Sequence, residues 1–544
     1  MKEGNIFDVL NYLRLLKSGE INQASFSIQT LTDIFLNVNS LEEGYDSLIK
    51  EYFINRFPSK SILPNFGQIE LFSDILGDLI YNFEKFPDIK PENIKKNMKK
   101  FPVLKDIRAK IISSYIDFVL KFTAFSYESI LQNQEVAAKH QKQLEYKLTD
   151  ELKKKLIEEI NQKRVISYND IRPGIILFNN IPDAKGYLEL NKCTILTTYK
   201  EADKQYKELS EFYVKYLELP SLYGLMEFGA PEFIFELKNI CLTPDSRSSI
   251  IKKELEKEGY EFTVDNFVKM VLIYLRIRAE VPLILLGETG CGKTSLIKSL
   301  FLFLADRYKL IEFNIHSGLS YHEISSFFEK NGLYARKSAF DEIRKKLNPQ
   351  QKPEQEKSII LFLDEINTTN SLNLFCEVFI KHSYLGHPLK PNLFIIAACN
   401  PYRLMLSDSE EIGYINKKMH RVRNLVYTVN PLPLCLINYV FDFGNVKDDD
   451  EKKYIRKFVN TFLNEKFSVR NSDNYTEILN VIISAVYEAQ KYIRKNSEIS
   501  AVSLREIRRF MVVLVILLIT RNQFSGFKLV LSVSYSIFGG VYNI

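Results

Sequence analysis

Tryptophan is absent from this 544-residue chain, and cysteine and histidine number only six each. The cysteines, Cys193, Cys241, Cys291, Cys376, Cys399 and Cys435, include no C-x-x-C pair. That spacing excludes a zinc finger or RING built within the chain, and it suits a reducing, cytoplasmic compartment. An excess of one charge is also lacking: 73 Lys and Arg stand against 67 Asp and Glu, for a net charge of +6. So even a balance argues against a dedicated nucleic-acid binder, which would concentrate a basic face. No apolar run followed by small residues opens the chain, so no signal peptide is expected. The longest apolar stretch, FMVVLVILLIT over 510–520, falls well short of the roughly 20 residues that span a bilayer. Arginines bracket it, and it reads as a buried helix rather than a membrane span.

What is present describes an ordinary globular chain of about two to four domains. Residues 1–165 read as a mostly helical N-terminal region. FSDILGDLIYNF and IRAKIISSYIDFVLKFTAF carry apolar residues at helical spacing, and the charged stretch 137–164 reads as a solvated helix. Residues 166–261 form a mixed, mostly helical lead-in in which IILFNN (175–180) looks like a buried strand. From 262 to 430 strands and helices alternate. The apolar segments VPLILLG (281–287), KLIEFNIH (309–316), SIILFLDE (358–365), NLFIIAACN (392–400) and NLVYTV (424–429) read as five strands. Near-continuous apolar strands alternating with helices imply an α/β unit, a parallel five-stranded sheet with flanking helices. After Pro431 the chain reads as helical, a C-terminal helical domain over 431–544.

The chemistry concentrates at the first of these strands. LILLGETGCGKTS fits G-x-x-x-x-G-K-[ST], runs out of a strand and opens a helix, the context a phosphate-binding loop requires. Gly287, Gly290 and Gly292 let the backbone close on phosphate oxygens, with Glu288, Thr289, Cys291 and Ser295 completing the loop. The helix N-terminus adds free N–H groups and a positive dipole end. Lys293 reaches the β- and γ-phosphates as a point charge, and the Thr294 hydroxyl is a ligand for Mg²⁺. Cys291 faces the phosphates but has no His partner nearby in sequence, so it is a bystander thiol.

SIILFLDE ends in Asp364 and Glu365, at the carboxyl end of a strand where ligands collect in open α/β sheets. Asp364 is expected to hold Mg²⁺, mostly through water, and Glu365 to orient the attacking water. Asn400 ends another apolar strand. Its amide can hold the lytic water or the γ-phosphate, though Asn-Pro at a strand end is also a turn signal. Asn314 is a candidate neighbour of Glu365, or a satisfied strand-end amide. Two readings of function remain: Mg²⁺-dependent ATP hydrolysis that drives conformational change, or an ATP-binding module with negligible turnover.

These motifs resemble those of a AAA+ ATPase. More narrowly, GETGCGKTSLI, LDEINTTNSLNLFCEVF, IIAACNPYR and NPLPLCLINYVFDFGNV resemble one AAA unit of mysterin. Mysterin is the family of giant RING-type ubiquitin ligases with several AAA units in one chain. The last motif is the most specific, a Pro-Leu-Pro step followed by aromatic-Asp-Phe-Gly, although Phe441 stands where a Trp is expected. The resemblance implies that Asn400 is the sensor 1 residue and that the C-terminal helical domain is a lid. It also implies a sensor 2 arginine within SLREIRRF (503–510), for which Arg505 is preferred over Arg508 and Arg509. A basic helix surface is the competing reading of that segment. An arginine finger acting on a neighbouring unit would come from Arg421 or Arg423. Partners implied are neighbouring AAA units or other proteins, in an oligomer or a larger ring. With one P-loop and no zinc-ligand cluster, the chain is expected to be a fragment or a single-unit relative. Ubiquitin transfer is implied for the parent family only.

Overall fold

The computed structural model describes residues 66–86, 89–97, 106–120, 174–182, 188–197, 229–335, 357–401, 429–443, 448–467 and 475–496. Isolated positions nearer the termini are also described (9–10, 12–13, 16, 50–55, 99, 123, 507 and 509–511). The charged stretch 137–164 and most of 510–520 lie outside these residues. Among the described residues no helix is long and apolar enough to cross a membrane.

In the N-terminal region, α1 (Phe66–Lys85) and α2 (Pro91–Asn97) precede a helical stretch over 107–120. Leu71, Phe72, Ile75, Leu76, Leu79 and Phe83 recur at helical spacing along α1, and all are buried. Next comes an antiparallel hairpin of β1 (Gly174–Pro182) and β2 (Leu188–Thr197). The first strand matches the sequence expectation. The second does not, since the lead-in over 166–261 reads as mostly helical outside 175–180. LELNKCTILT pairs residue by residue with β1 from Gly174↔Thr197 to Ile181↔Leu190. Cross-strand partners of this kind decide strand identity more than local composition does.

The chain then runs through α3 (Ala230–Cys241), α4 (Ser248–Lys257) and α5 (Val264–Arg278) into β3 (Leu283–Leu286). Thr263 caps α5 by accepting the Asn266 N–H at 3.2 Å. Following β3 are α6 (Lys293–Leu304), β4 (Tyr308–Asn314), α7 (Tyr321–Lys330), β5 (Ser358–Asp364) and α8 (Leu372–Lys381). A small hairpin of β6 (Ser383–Tyr384) and β7 (His387–Pro388) leads to β8 (Leu393–Cys399). A short helix α9 (Leu434–Ile437) precedes β9 (Val440–Asp442), and α10 (Asp448–Phe467) and α11 (Tyr475–Asn496) follow.

The five-stranded sheet has the order β4-β5-β8-β3-β9 and every pairing is parallel. This is the expected α/β sheet with flanking helices, with one correction to its membership. The fifth strand is Val440–Asp442, whereas 424–429 lies outside the described residues except for Val429, which is in no strand. The free edge of β3 recruits it: Ile284 N donates to Tyr439 O at 2.9 Å and Phe443 N to Leu286 O at 2.7 Å. Three residues are too few to display a period, so the segment after Pro431 read as helical throughout.

Alternation along the strands feeds two cores. Leu283, Leu285, Ile360, Phe362, Phe394 and Ile396 face one layer, with α5, α6 and the N-terminal helices. Ile284, Ile359, Leu361, Leu363, Ile395 and Ala397 face the other, with α7, α8 and α9. The N-terminal helices share the first core, and Arg278 at the end of α5 is paired with Asp78 of α1 at 2.6 Å.

Candidate nucleotide site

Three strands of the sheet, β3, β5 and β8, end at one cleft. β3 runs into the loop Gly287–Gly292, whose last residue stands in the left-handed region (φ 93°) as the N-cap of α6. Gly290 is left-handed too (φ 77°). Gly287 is constrained by space rather than by φ: a Cβ there would come within 3.1 Å of both Cys291 Sγ and Phe443 Cβ. The aromatic-Asp-Phe-Gly motif therefore has a structural role. Phe443 is the wall behind the loop, and the buried Lys269 ammonium sits 4.2 Å over its ring while ion-pairing with Asp265 at 2.5 Å.

Lys293 is buried. Its Nζ donates to Gly287 O at 2.6 Å, Glu288 O at 3.0 Å and Asn400 Oδ1 at 3.3 Å. This brings the P-loop lysine to the amide that ends β8. Thr294 Oγ1 donates to Asp364 Oδ2 at 2.8 Å. A hydroxyl and a carboxylate oxygen thus converge at the carboxyl end of β5, and hard oxygen donors beside a phosphate loop are the set Mg²⁺ prefers. Glu365 follows in the left-handed conformation (φ 57°, ψ 39°), which turns the chain sharply at the strand end and leaves its side chain half-buried beside the cleft. Burial pushes the Cys291 thiol above its ordinary value, and Lys293 opposes the shift only in part. A nucleophile needs the thiolate, so this environment suits a bystander.

The cleft has a volume of about 390 Å³ and is lined by the loop from Thr289 to Ser295, by Asp364 and Glu365, and by Ala398, Cys399 and Asn400. Its remaining wall was not read from the sequence. It comprises Glu258, Gly259, Tyr260, Glu261 and Asn266 around the start of α5, with Tyr454 and Phe458 from α10. Tyr454 and Phe458 are four apart, hence on one helical face, and Asn266 hydrogen-bonds Tyr454. Burial raises the Glu261 carboxyl above its usual range, with Lys457 and Lys453 opposing. The helix α10, which follows the sheet, thereby closes one side of the cleft.

Asn367 was also missed. It is buried at 1% exposure and sits in the 3-10 turn Ile366–Thr368. Its Nδ2 donates to Asn400 O at 2.8 Å, and its Oδ1 accepts the Asn400 N–H at 3.2 Å. An Asn two residues past the paired acids carries no distinctive sequence signal.

Asn314 lies opposite Asp364 in the strand register, next to the acids, and is exposed. Arg421, Arg423, Arg505 and Arg508 lie outside the described residues. Arg509 is described, exposed, and does not line the cleft.

A comparison with known proteins covers this part of the chain. Residues 260–403 match the family model of the RNF213 AAA domain. The chain is 36% identical over 281 residues to E3 ubiquitin-protein ligase rnf213-beta of Danio rerio, and 34% identical over 296 residues to E3 ubiquitin-protein ligase RNF213 of Homo sapiens. These alignments cover 47% and 50% of the chain but only 5% of each relative. The chain thus carries a AAA unit that resembles that of RNF213, also known as mysterin.

Proposed function

We propose that this chain binds ATP with Mg²⁺ and hydrolyses it, using the cycle to shift the helical domain against the sheet. The convergence of Lys293, Thr294, Asp364, Glu365 and Asn400 on one cleft carries this reading. The loop amides and Lys293 hold the β- and γ-phosphates, and Thr294 and Asp364 hold the metal site. Mg²⁺, when bound, neutralises charge developing on the phosphates. Glu365 accepts the proton of the attacking water, and Asn400 fixes the γ-phosphate or that water. Arg505 serves as sensor 2, and Arg421 or Arg423 reaches a neighbouring unit. Tyr454 and Phe458 line the cleft from α10, so occupancy couples directly to the helical domain.

The test is phosphate release by the purified chain with Mg²⁺-ATP, beside Glu365→Gln. Loss of a positioned base costs about 10²–10⁴-fold, so equal background rates in the two proteins would sink the enzyme reading. The second reading is tight ATP binding with negligible turnover: if the charge-stabilising arginine must come from a neighbouring unit, the chain by itself turns over slowly. Nucleotide binding without turnover at any protein concentration would support it.

We place the chain in the cytoplasm, in a ring or larger assembly whose partners are neighbouring AAA units or other proteins, with no nucleic acid. The relatives are ubiquitin ligases by name. For this chain, association with a ligase of that kind rests on resemblance, and no residue here is assigned to ubiquitin transfer.

A further inference from the structure

The turn that carries Glu365 is fastened on both sides. Toward β4, Thr368 Oγ1 donates to Ile315 O at 3.1 Å and to Glu365 O at 2.8 Å, while Ile315 N donates to Asp364 O at 2.9 Å. Toward β8, Asn367 makes the connection through both hydrogen-bonding groups of its side chain, donating to Asn400 O and accepting from Asn400 N. A single carboxamide thus mimics a peptide unit and joins β8 to the turn. The Asn367 carbonyl also accepts the Asn430 N–H at 2.7 Å, and Asn430 Nδ2 donates to Thr369 O at 2.9 Å.

β5 and β8 are neighbours in the sheet, but their paired register stops at Leu363↔Ala397. Glu365 and Asn400 lie two and three residues past that last pair, outside the ladder. Asn367 is the group that spans this gap. Its burial makes it costly to satisfy the two Asn400 backbone groups any other way.

We propose that Asn367 is a positioning residue that clamps the Glu365 turn to Asn400, fixing the base and the γ-phosphate amide as one rigid unit. The proposal rests on the hydrolytic reading above for its catalytic consequence, but not for the clamp itself. Asn367 touches no cleft surface. Its loss acts on the geometry of the chemical step and leaves the loop amides and Lys293, which hold the β- and γ-phosphates in this reading, in place.

The experiment combines steady-state kinetics with hydrogen–deuterium exchange on the full chain, comparing wild type with Asn367→Ala and Asn367→Asp. The Asp variant keeps the shape and the acceptor for Asn400 N but removes the donor to Asn400 O, and it carries the test should the Ala variant fail to fold. Misplacement of the base is expected to lower kcat by about 10- to 100-fold, with KM for ATP within about threefold of wild type. Exchange in peptides covering 364–369 and 396–401 is expected to rise about tenfold together, while β3 stays protected. A merely structural role would instead lower ATP affinity and protection across the whole sheet. Wild-type exchange at 396–401 in both variants overturns the clamp. Unchanged kcat despite faster exchange overturns its positioning role. Should wild type itself show no turnover above Glu365→Gln, the hydrolytic reading falls and exchange alone decides on the clamp.

Discussion

Thr294 Oγ1 stands 2.8 Å from Asp364 Oδ2, although 70 residues separate them in the chain. One residue opens the helix after the phosphate loop and the other ends a strand two positions away in the sheet. In the proposed function this contact marks where Mg²⁺ would be held. Thr294→Val keeps the shape and removes the oxygen, so the Mg²⁺ requirement for nucleotide binding should rise. Loss of a hydrogen bond to a charged group costs about 1.5–3 kcal/mol, which a Mg²⁺ titration of ATP binding would read as a 10- to 100-fold weaker metal response. An unchanged titration would remove Thr294 from the metal site.

Lys293 ties three acceptors of the cleft together. Lys293→Ala should abolish stabilisation by ATP while the unliganded chain still folds. For a ligand at 100 times its Kd that stabilisation is about 2.7 kcal/mol, easily seen as a shift in Tm. Retained stabilisation in the variant would mean that the nucleotide sits elsewhere.

Gly287→Ala is expected to damage the loop through contact alone. The added methyl meets Cys291 Sγ and Phe443 Cβ, both at 3.1 Å, and Phe443 is fixed by its N–H bond to Leu286 O at 2.7 Å. Overpacking of this kind costs about 1–3 kcal/mol. Cys291→Ala in the same background should recover part of the loss in chemical denaturation, because it removes Sγ, one of the two obstacles. A double variant no better than the single one would argue against this wall.

The β6–β7 hairpin should respond to acid. Glu377 accepts from Gly386 N at 2.7 Å, Leu385 N at 2.9 Å and Ser383 Oγ at 2.8 Å. The Gly386 amide, then Ser383, hold its carboxyl below the ordinary 4.5. A depressed folded value means that this contribution is fully present above pH 4.5 and is lost as pH falls through the folded value. Amide exchange at Leu385 and Gly386, corrected for intrinsic rates, should therefore rise below pH 4.5. Glu377→Gln should show fast exchange at neutral pH.

The local pattern determined a good deal of this protein. Four of the five sheet strands, the loop and its helix, and the two acids at the end of β5 were legible because each announces itself within a dozen residues. An apolar run ends at a glycine or a carboxylate, and a helix starts where the lysine stands. The AAA resemblance was legible from the same segments. Tertiary structure decided the rest. Val440–Asp442 is a strand only because β3 has a free edge to pair with, and Leu188–Thr197 is one because β1 lies beside it. Tyr260, Asn266, Tyr454 and Phe458 become one wall only when α10 folds back over the start of α5. Asn367 acquires a role from Asn400, 33 residues away. Backbone groups and amides are common to every residue or nearly so, and no period marks them. What they bind is set by which chain segments the packed sheet brings within hydrogen-bonding reach.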